Sequence, residues 1–249
     1  MSQIGIDTGG RTVPAAAIRE RVDSLPWPDL HDQLDDSGFA YTPPVLSAAE
    51  CRDVDALYET AEFRSTVDMA RFRFGRGQYK YFADPLPQPV ASLRTAFYPW
   101  LAEAANRWAT RLGEDRRFPD SLTAFQADCR DAGQTQPTPL MLRYRTGDWN
   151  ALHQDIYGDV AFPLQAVTLL SRPGQDFEGG EFILVEQRAR AQSRAHVLPL
   201  QRGAFLIFTT RQRPVRGSRG VHRSAMRHGI SALRSGQRTT LGIIFHDAA

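Results

Sequence analysis

His153-Gln154-Asp155 is the stretch around which this 249-residue chain is organised, together with a second stretch from His228 to Arg238. His153 and Asp155 are two residues apart. On an extended strand, side chains at that spacing point to the same side and lie roughly 6.5 Å apart along the chain. Two such groups can converge on one ion where a strand bends or ends. A His-x-Asp triplet also arises by chance in surface turns, so the triplet alone decides little.

The second stretch supplies a third ligand of the right type. His228 precedes Arg238 by ten residues, and a strand-like run begins at Arg238. Two His and one carboxylate on one face of an octahedron, with the remaining positions open, form the ligand set of non-haem Fe(II) oxygenases. We therefore expect His153, Asp155 and His228 to bind Fe(II). His222 is the competing candidate for the distal ligand, although it lies farther from Arg238.

This pattern resembles that of the Fe(II)- and 2-oxoglutarate-dependent dioxygenases, in which H-x-D is followed by a distal His and then by a basic residue. The similarity covers residues 140–246. It implies a double-stranded β-helix, a jelly-roll flanked by helices, with Fe(II), 2-oxoglutarate and O2 as cofactors. It also implies that 2-oxoglutarate is decarboxylated to succinate while a substrate C–H bond is hydroxylated. Arg238 would then bind the far carboxylate of 2-oxoglutarate through its bidentate guanidinium.

Two further residues are candidates for the 2-oxoglutarate site. Thr240 lies two residues after Arg238, so on a strand it faces the same way and can donate its hydroxyl to the same carboxylate. Tyr144 lies nine residues before His153, where the resemblance implies a tyrosine that contacts 2-oxoglutarate; a core aromatic is the equal alternative. The run Gly179-Gly180-Glu181 fits either a strand beside the iron pocket or a simple β-turn.

The order of helical and strand patterns predicts an α+β fold. Helical periodicity dominates up to residue 139, and short strands punctuated by Gly and Pro follow from Leu140. We expect one domain over residues 1–249, in which 1–139 is mainly helical support and a possible lid, packed on one side. Residues 140–249 would form the catalytic jelly-roll core. The 42% of apolar residues is enough for such a core.

The distribution of arginine bears on the substrate. Residues 71–82 interleave basic and aromatic side chains around two glycines, and the range 188–238 holds twelve Arg and no Asp or Glu. Aromatic rings stack on bases and basic groups contact phosphates, although a solvated Arg-rich surface is equally compatible. We expect a loop at 211–219 near the pocket mouth. The candidate substrate-binding residues are Arg73, Tyr79, Lys80, Tyr81 and Arg216.

Three functions fit these features. The run 226–247 resembles the bacterial AlkB-like branch of the superfamily, the oxidative demethylases of alkylated nucleic acid, and so implies single-stranded or damaged nucleic acid as a partner. The motif spacing around Tyr144 and Arg238 suggests the alternative of a prolyl-hydroxylase-like enzyme that acts on a protein side chain. A non-catalytic sensor of iron and 2-oxoglutarate is the third hypothesis.

The remaining composition indicates a cytoplasmic protein. Cys51 and Cys129 are far apart and in no CxxC spacing, which favours two buried thiols over a disulfide or zinc site. Neither a signal-peptide core nor an apolar run of membrane-spanning length is expected. The net charge of +2 is too small to indicate a partner.

Overall fold

The computed structural model describes residues 15–187, 192–217 and 220–249. Within these ranges the α-helices are α1 (Ala15–Asp23), α2 (Trp27–Ser37), α3 (Ala48–Thr60), α4 (Gln88–Leu112) and α5 (Leu122–Asp131), and a 3-10 helix spans Met69–Phe72. The strands are β1 (Phe39–Pro44), β2 (Phe63–Asp68), β3 (Gly75–Arg76), β4 (Gln78–Phe82), β5 (Leu140–Arg145), β6 (Trp149–His153), β7 (Leu164–Leu169), β8 (Phe177–Gly179), β9 (Phe182–Gln187), β10 (Arg194–Leu198), β11 (Ala204–Thr209), β12 (Gln212–Gly217), β13 (Gly220–Ile230) and β14 (Leu233–Ile243).

The ends of the helices follow from local chemistry. Ser47 accepts a hydrogen bond from the Glu50 backbone, and Glu50 accepts one from the Ser47 backbone, so a capping box starts α3. The longest helix, α4, ends at Gly113, whose left-handed φ of 66° a residue with a Cβ rarely adopts. Both features are readable in the sequence.

Two antiparallel sheets form the β core. In the described part of the chain the larger sheet runs β1-β11-β7-β14-β5-β4-β2, with β8 paired to β14 beside this path. The smaller runs β10-β9-β13-β6-β3, with β12 paired to β13. Because β1, β2, β3 and β4 all come from the first half of the chain, that half builds part of both sheets as well as the helical layer.

The larger sheet is covered on both faces. All six residues of β11 are buried. Phe205 and Ile207 belong to the hydrophobic cluster that includes side chains of the helices, whereas Leu206 and Phe208 belong to the cluster between the two sheets. This alternation follows from the period of two along a strand. The helices therefore lie on the outer face of the larger sheet, and a second core lies between the sheets. The predicted α+β layout, with helices on one side, is confirmed.

The predicted loop at 211–219 is wrong for the described residues of that range. Residues 212–217 form β12, paired with β13 from Gln212↔Ala225 to Gly217↔Gly220. Pairing with β13 satisfies the backbone hydrogen bonds of this segment. Several of its arginines nevertheless stay exposed, and for that reason its composition resembles that of a loop. Arg213 is the exception, since its guanidinium is buried 3.1 Å from Glu186. Arg219 lies outside the described residues.

The cysteines and the apolarity of the helices bear on two further predictions. Cys51 and Cys129 are both buried and free of disulfides. Among the helices in the described ranges, none is both long and apolar enough to cross a membrane.

Candidate metal centre and its pocket

His153 and His228 meet across two neighbouring strands. His153 is the last residue of β6 and lies directly opposite His228 of β13, with the ring centroids 4.2 Å apart. The register shifts between His228 and Ile230, and Gly229 permits this irregular approach because a Cβ there would lie 2.7 Å from the Asn150 carbonyl oxygen. The glycine after His228 thus lets β13 press against β6 at the site.

Asp155 closes the group of three. The chain leaves its strand after His153, so the carboxylate of Asp155 turns back between the two rings. Its Oδ1 lies 3.4 Å from His153 Nε2, and its Oδ2 lies 3.2 Å from His228 Nε2. One ligand atom from each residue can be chosen so that all three lie within 4.8 Å of one another. The geometry brings together the three predicted ligands and leaves His222 out, since that residue pairs with Val215 in the β12–β13 hairpin.

The hydrogen bonds of the two imidazoles test whether a metal fits here. Nδ1 of His153 lies 2.8 Å from the Ala151 carbonyl, which can only accept, so Nδ1 carries the hydrogen and Nε2 keeps its lone pair in the neutral ring. His228 is held between Phe182, stacked at 7°, and Phe208, edge-on at 63°. The Nδ1 of His228 is buried without a partner. Both rings therefore present Nε2 to a common point, as metal ligation requires.

Electrostatics at this point favour an ionised carboxylate. Burial would raise the pKa of Asp155, yet the charges of His228 and His153 and their hydrogen bonds hold that pKa well below its usual value. Burial also opposes protonation of His153, but the charge of Asp155 and its hydrogen bond leave the pKa of His153 raised. For His228, burial and the charge of His153 lower the pKa. A carboxylate with at least one neutral imidazole is a donor set that suits a divalent metal.

Tyr157 and Tyr81 support the carboxylate from outside the group. The Tyr157 hydroxyl donates to Asp155 Oδ1 at 2.7 Å, and the Tyr81 hydroxyl donates to Tyr157 at 2.9 Å. Since Oδ1 already accepts this bond, Oδ2 is the oxygen better placed for a metal. Gln154 pins the same turn by donating to the carbonyls of Arg211 and Met226. Such outer contacts fix the orientation of a ligand that lies outside a strand.

Arg238 lies in the same pocket. It is a buried cation that has no anionic partner among the described residues. Its side chain is 1% exposed, Nη1 has no hydrogen-bond partner, and no ion pair to it occurs among the described residues. Burial lowers the pKa of Arg238 to about 10, so the guanidinium is still charged at neutral pH. An uncompensated buried charge is costly, and the site therefore fits an anionic ligand.

The surroundings of Arg238 include both other candidates for the cofactor site. Tyr144 pairs with Arg238 across β5 and β14, and its ring centroid lies 5.7 Å from the guanidinium. Thr240 is buried two residues along the same strand and lines the same pocket. Gly180 abuts the arginine: its φ is +61°, and a Cβ there would lie 3.0 Å from Arg238 Cδ. A glycine at 180 therefore leaves room for the arginine side chain.

The pocket that contains all these groups has a volume of about 380 Å³. Its walls are largely apolar or aromatic, and three of the predicted substrate-binding residues, Arg73, Tyr79 and Tyr81, line it. The other two do not. Lys80 lies on the opposite face of β4, with its Nζ 4.1 Å from the Tyr58 ring centroid, because neighbours on a strand point to opposite sides. Arg216 lies on the β12–β13 hairpin, away from the lining.

Three residues of the pocket escaped the sequence analysis. Tyr157, two residues after Asp155, continues the same spacing of two. Gln165 is the most polar residue of the fully buried strand Leu164–Leu169, and its Nε2 is buried without a partner beside the pocket. A long polar side chain inside an apolar strand pattern is a signal that could have been used. Asn150, which donates to the Tyr144 hydroxyl at 3.3 Å, carries no such signal.

Comparison with known proteins agrees with this geometry. Residues 77–248 match the Oxygenase-NA family, which is described as an oxygenase catalysing oxidative methylation of damaged DNA. The chain belongs to this oxygenase family. It is also 54% identical over 168 residues to an uncharacterized protein of Mycobacterium tuberculosis strain H37Rv, covering 68% of this chain and 72% of that protein.

Solved structures share the fold of this oxygenase. A 2OG-Fe(II) oxygenase family oxidoreductase from Burkholderia pseudomallei is similar with a TM-score of 0.52 at 17% identity, covering 90% of this chain and 93% of that one. A Pseudomonas putida prolyl-4-hydroxylase gives 0.51 at 18%, covering 90% and 100%. The predicted superfamily, its double-stranded β-helix fold and an enzymatic role are confirmed. Enzymes of the superfamily use Fe(II), 2-oxoglutarate and O2, and the metal and anion sites described above suit the first two.

Proposed function

We propose that this oxygenase removes an N-methyl group from an alkylated base of nucleic acid by hydroxylating it, with Fe(II) held by His153, Asp155 and His228. The observation that carries the proposal is the meeting, in one pocket, of two imidazoles and a carboxylate with a buried, unpaired arginine. A metal site alone suits many reactions. A metal site beside a desolvated cation suits a metal-chelating cosubstrate with a distant carboxylate, which 2-oxoglutarate is.

The chain's own residues orient the reactants. Nε2 of each histidine and Asp155 Oδ2 would hold the iron on one side and leave the other side to ligands. Arg238, with Thr240 and Tyr144, would bind the far carboxylate of 2-oxoglutarate by charge-assisted hydrogen bonds. When bound, iron and 2-oxoglutarate would supply, with O2, the oxidant for a C–H bond, and CO2 and succinate would be the by-products. The aromatic walls of the pocket would limit the access of water to the bound reactants.

The product of such a hydroxylation on an N-methyl group breaks down by itself. The N–CH2OH group loses formaldehyde as the N–C bond breaks, and the base nitrogen regains a hydrogen. No further catalytic residue is therefore needed. A base inside a duplex cannot reach a pocket of this size, so it must be extruded or belong to a single strand.

Three observations support nucleic acid as the substrate. The matched family is described by its action on damaged DNA. The pocket of about 380 Å³ has flat aromatic walls, including Tyr79, Tyr81 and Phe208, which suit a planar ring. Arg73, at the pocket lining, adds a cation for a phosphate.

A turnover screen tests the proposal. Purified enzyme with Fe(II), 2-oxoglutarate and ascorbate would be given oligonucleotides that carry an N-methylated base, or proline-containing peptides, while succinate and formaldehyde are both measured. We expect equal amounts of the two products from the methylated oligonucleotide. Hydroxylated peptide without formaldehyde would favour a protein hydroxylase instead, and the absence of succinate with every substrate would favour a non-catalytic sensor.

Matched variants tie the activity to the proposed ligands. Asp155→Ala should abolish both Fe(II) binding and turnover, because two imidazoles alone hold the metal weakly. Asp159→Ala removes an exposed carboxylate four residues on and should change neither. Full turnover by Asp155→Ala would show that the metal is bound elsewhere.

A further inference from the structure

Most of the large hydrophobic side chains that are exposed in the described part of the chain lie in two neighbouring segments. Six large hydrophobic residues are exposed in the described part of the chain, and four belong to two short segments: Phe72 (58% exposed), Phe74 (47%), Trp149 (41%) and Leu152 (44%). We call these four the rim patch. Single exposed apolar residues need no explanation, but a cluster of them marks a surface that binds something.

Backbone contacts hold the two segments together. Ala151 donates its N–H to the Phe74 carbonyl at 2.8 Å, and β3 pairs with β6 so that Arg76 lies opposite Trp149. Gly75 makes this docking possible: its φ is +134°, and a Cβ there would lie 2.2 Å from the Trp149 carbonyl oxygen. The rim patch is thus a fixed part of the smaller sheet and its flanking turn.

The two phenylalanines of the patch form a stack that is open to solvent. Their ring centroids are 5.7 Å apart with an interplanar angle of 20°. Between them, Arg73 has a φ of 60°, the left-handed conformation that costs a non-glycine residue energy, and no other non-glycine residue in the described ranges has a positive φ. Backbone strain of this kind is retained most often where function requires the resulting geometry.

The patch is continuous with the candidate active site and lies beside positive charge. Phe74 and Leu152 line the same pocket as His153 and Asp155. Arg71 and Arg73 alternate with the two phenylalanines in sequence; both are exposed, and neither forms an ion pair among the described residues. Asp68, the nearest acid before them in sequence, instead caps the 3-10 helix by accepting from the Ala70 N–H.

We propose that the rim patch binds the nucleotides next to the target base in a single strand, by stacking their bases on Phe74 and Phe72 while Arg71 and Arg73 contact the phosphates. This inference rests on the proposed function and extends it to a preference for unpaired substrate. Bases in a duplex already stack on their neighbours and offer no free face to the rings. An unpaired strand offers one face per nucleotide, which is how aromatic platforms bind nucleic acid without reading its sequence.

Binding of a fluorescein-labelled oligothymidylate, and of the same strand in a duplex with oligoadenylate, tests the stack. We expect Phe72→Ala with Phe74→Ala to weaken binding of the single strand by about tenfold or more, and to change duplex binding little. Phe72→Trp with Phe74→Trp should retain single-strand affinity, since a larger ring stacks as well. The control pair Val197→Ala with Val221→Ala removes exposed apolar side chains elsewhere and should have no effect.

Salt dependence tests the arginines separately. Arg71→Ala with Arg73→Ala should reduce the slope of log affinity against log salt by about 1.4, two phosphate contacts on a single strand. The alanine pair at the phenylalanines should leave that slope as it is. The substituted phenylalanines and arginines are all exposed, so circular dichroism should show every variant folded.

Two outcomes would overturn the inference while the proposed function stands: the Phe72→Ala, Phe74→Ala pair binds the single strand as wild type does, or it loses single-strand and duplex binding equally. In either case wild-type enzyme would still release formaldehyde from a methylated oligonucleotide. If wild type releases none, the proposed function itself has failed.

Discussion

Two fully buried arginines lie on opposite faces of the larger sheet, and only one of them has polar partners. Arg94, on the helical side, donates to the carbonyls of Ile244 and Phe245 and lies 2.7 Å from the carboxylate of Asp247. Arg238, in the pocket, has no hydrogen-bond or ion-pair partner among the described residues. The first is a completed structural contact. The second is an unpaired buried charge that suits an anionic ligand.

The same contrast holds for other polar groups on the pocket side. The buried Nδ1 of His228 and Nε2 of Gln165 also lack partners there. Buried polar groups are normally satisfied, so unsatisfied ones that line the same cavity favour a ligand site there. Unpartnered buried polar atoms also occur away from the pocket, for example the hydroxyls of Tyr41 and Tyr98, so what distinguishes the pocket is that Gln165, His228 and Arg238 line one cavity.

The largest effect on folding is expected at Arg94. Arg94→Met leaves the Asp247 carboxylate buried without its cation, and should lower the free energy of unfolding by about 3–5 kcal/mol. Denaturant titration followed by circular dichroism measures this. Arg111→Met removes a half-exposed arginine of the same helix and serves as the control. A cost at Arg94 no larger than at Arg111 would remove the contrast between the two faces.

Arg238 should behave in the opposite way. Arg238→Met removes an unpaired buried charge, so the ligand-free protein should keep its stability or gain some, while 2-oxoglutarate binding weakens by about 100-fold, the loss of two charge-assisted hydrogen bonds. With 2-oxoglutarate at about 100 times its Kd, wild type should gain about 2.7 kcal/mol of stability and the variant almost none. Thermal shifts with and without the ligand measure both. Arg234→Met, an exposed position on the same strand, should retain the full shift.

Removal of the Tyr157 hydroxyl should have a smaller effect on ligand binding than loss of Arg238. It should have a larger effect than removal of the Tyr98 hydroxyl. Tyr157→Phe leaves Asp155 Oδ1 without its donor, and we expect Mn(II) or Fe(II) affinity to fall by about tenfold. Tyr98→Phe removes a buried hydroxyl that has no partner, and should leave metal affinity and stability unchanged. Calorimetric titration of both variants decides the point; equal affinities would show that Tyr157 only fills space.

The smallest effect concerns pH and the outer helices. Hydrogen bonds from Arg21 lower the pKa of Glu50 below its ordinary value of 4.5. The stability that this pair contributes is therefore present above pH 4.5 and is lost as pH falls through the folded-state pKa. Because both groups are partly exposed, we expect less than about 1 kcal/mol. Arg21→Met should abolish this part of the acid dependence in unfolding experiments, so its stability deficit relative to wild type should shrink as pH falls below 4.5.

Much of the fold could be predicted because its causes are local. Ser47 and Glu50 indicate the start of a helix, and Gly113 indicates the end of another. Helical periodicity gives way to short strands after residue 139. The strand β12 could not be predicted, since its arginine-rich composition is typical of a loop and its pairing depends on β13. Likewise, nothing local distinguishes the buried Arg213 from its exposed neighbours, because its partner Glu186 lies 27 residues away.

By itself, the sequence determined the chemical types available to the site: His153, Asp155, a distal histidine and a basic residue after it. Strand periodicity could say that residues such as Tyr79 and Tyr81 share a face, because that is a property of neighbours along one chain. Which face meets the iron site is decided by register between distant strands. That register brought His228 rather than His222 against His153, and turned Lys80 away from the pocket. It depends on contacts such as that of Gly229 with Asn150, which exist only once the sheet has formed.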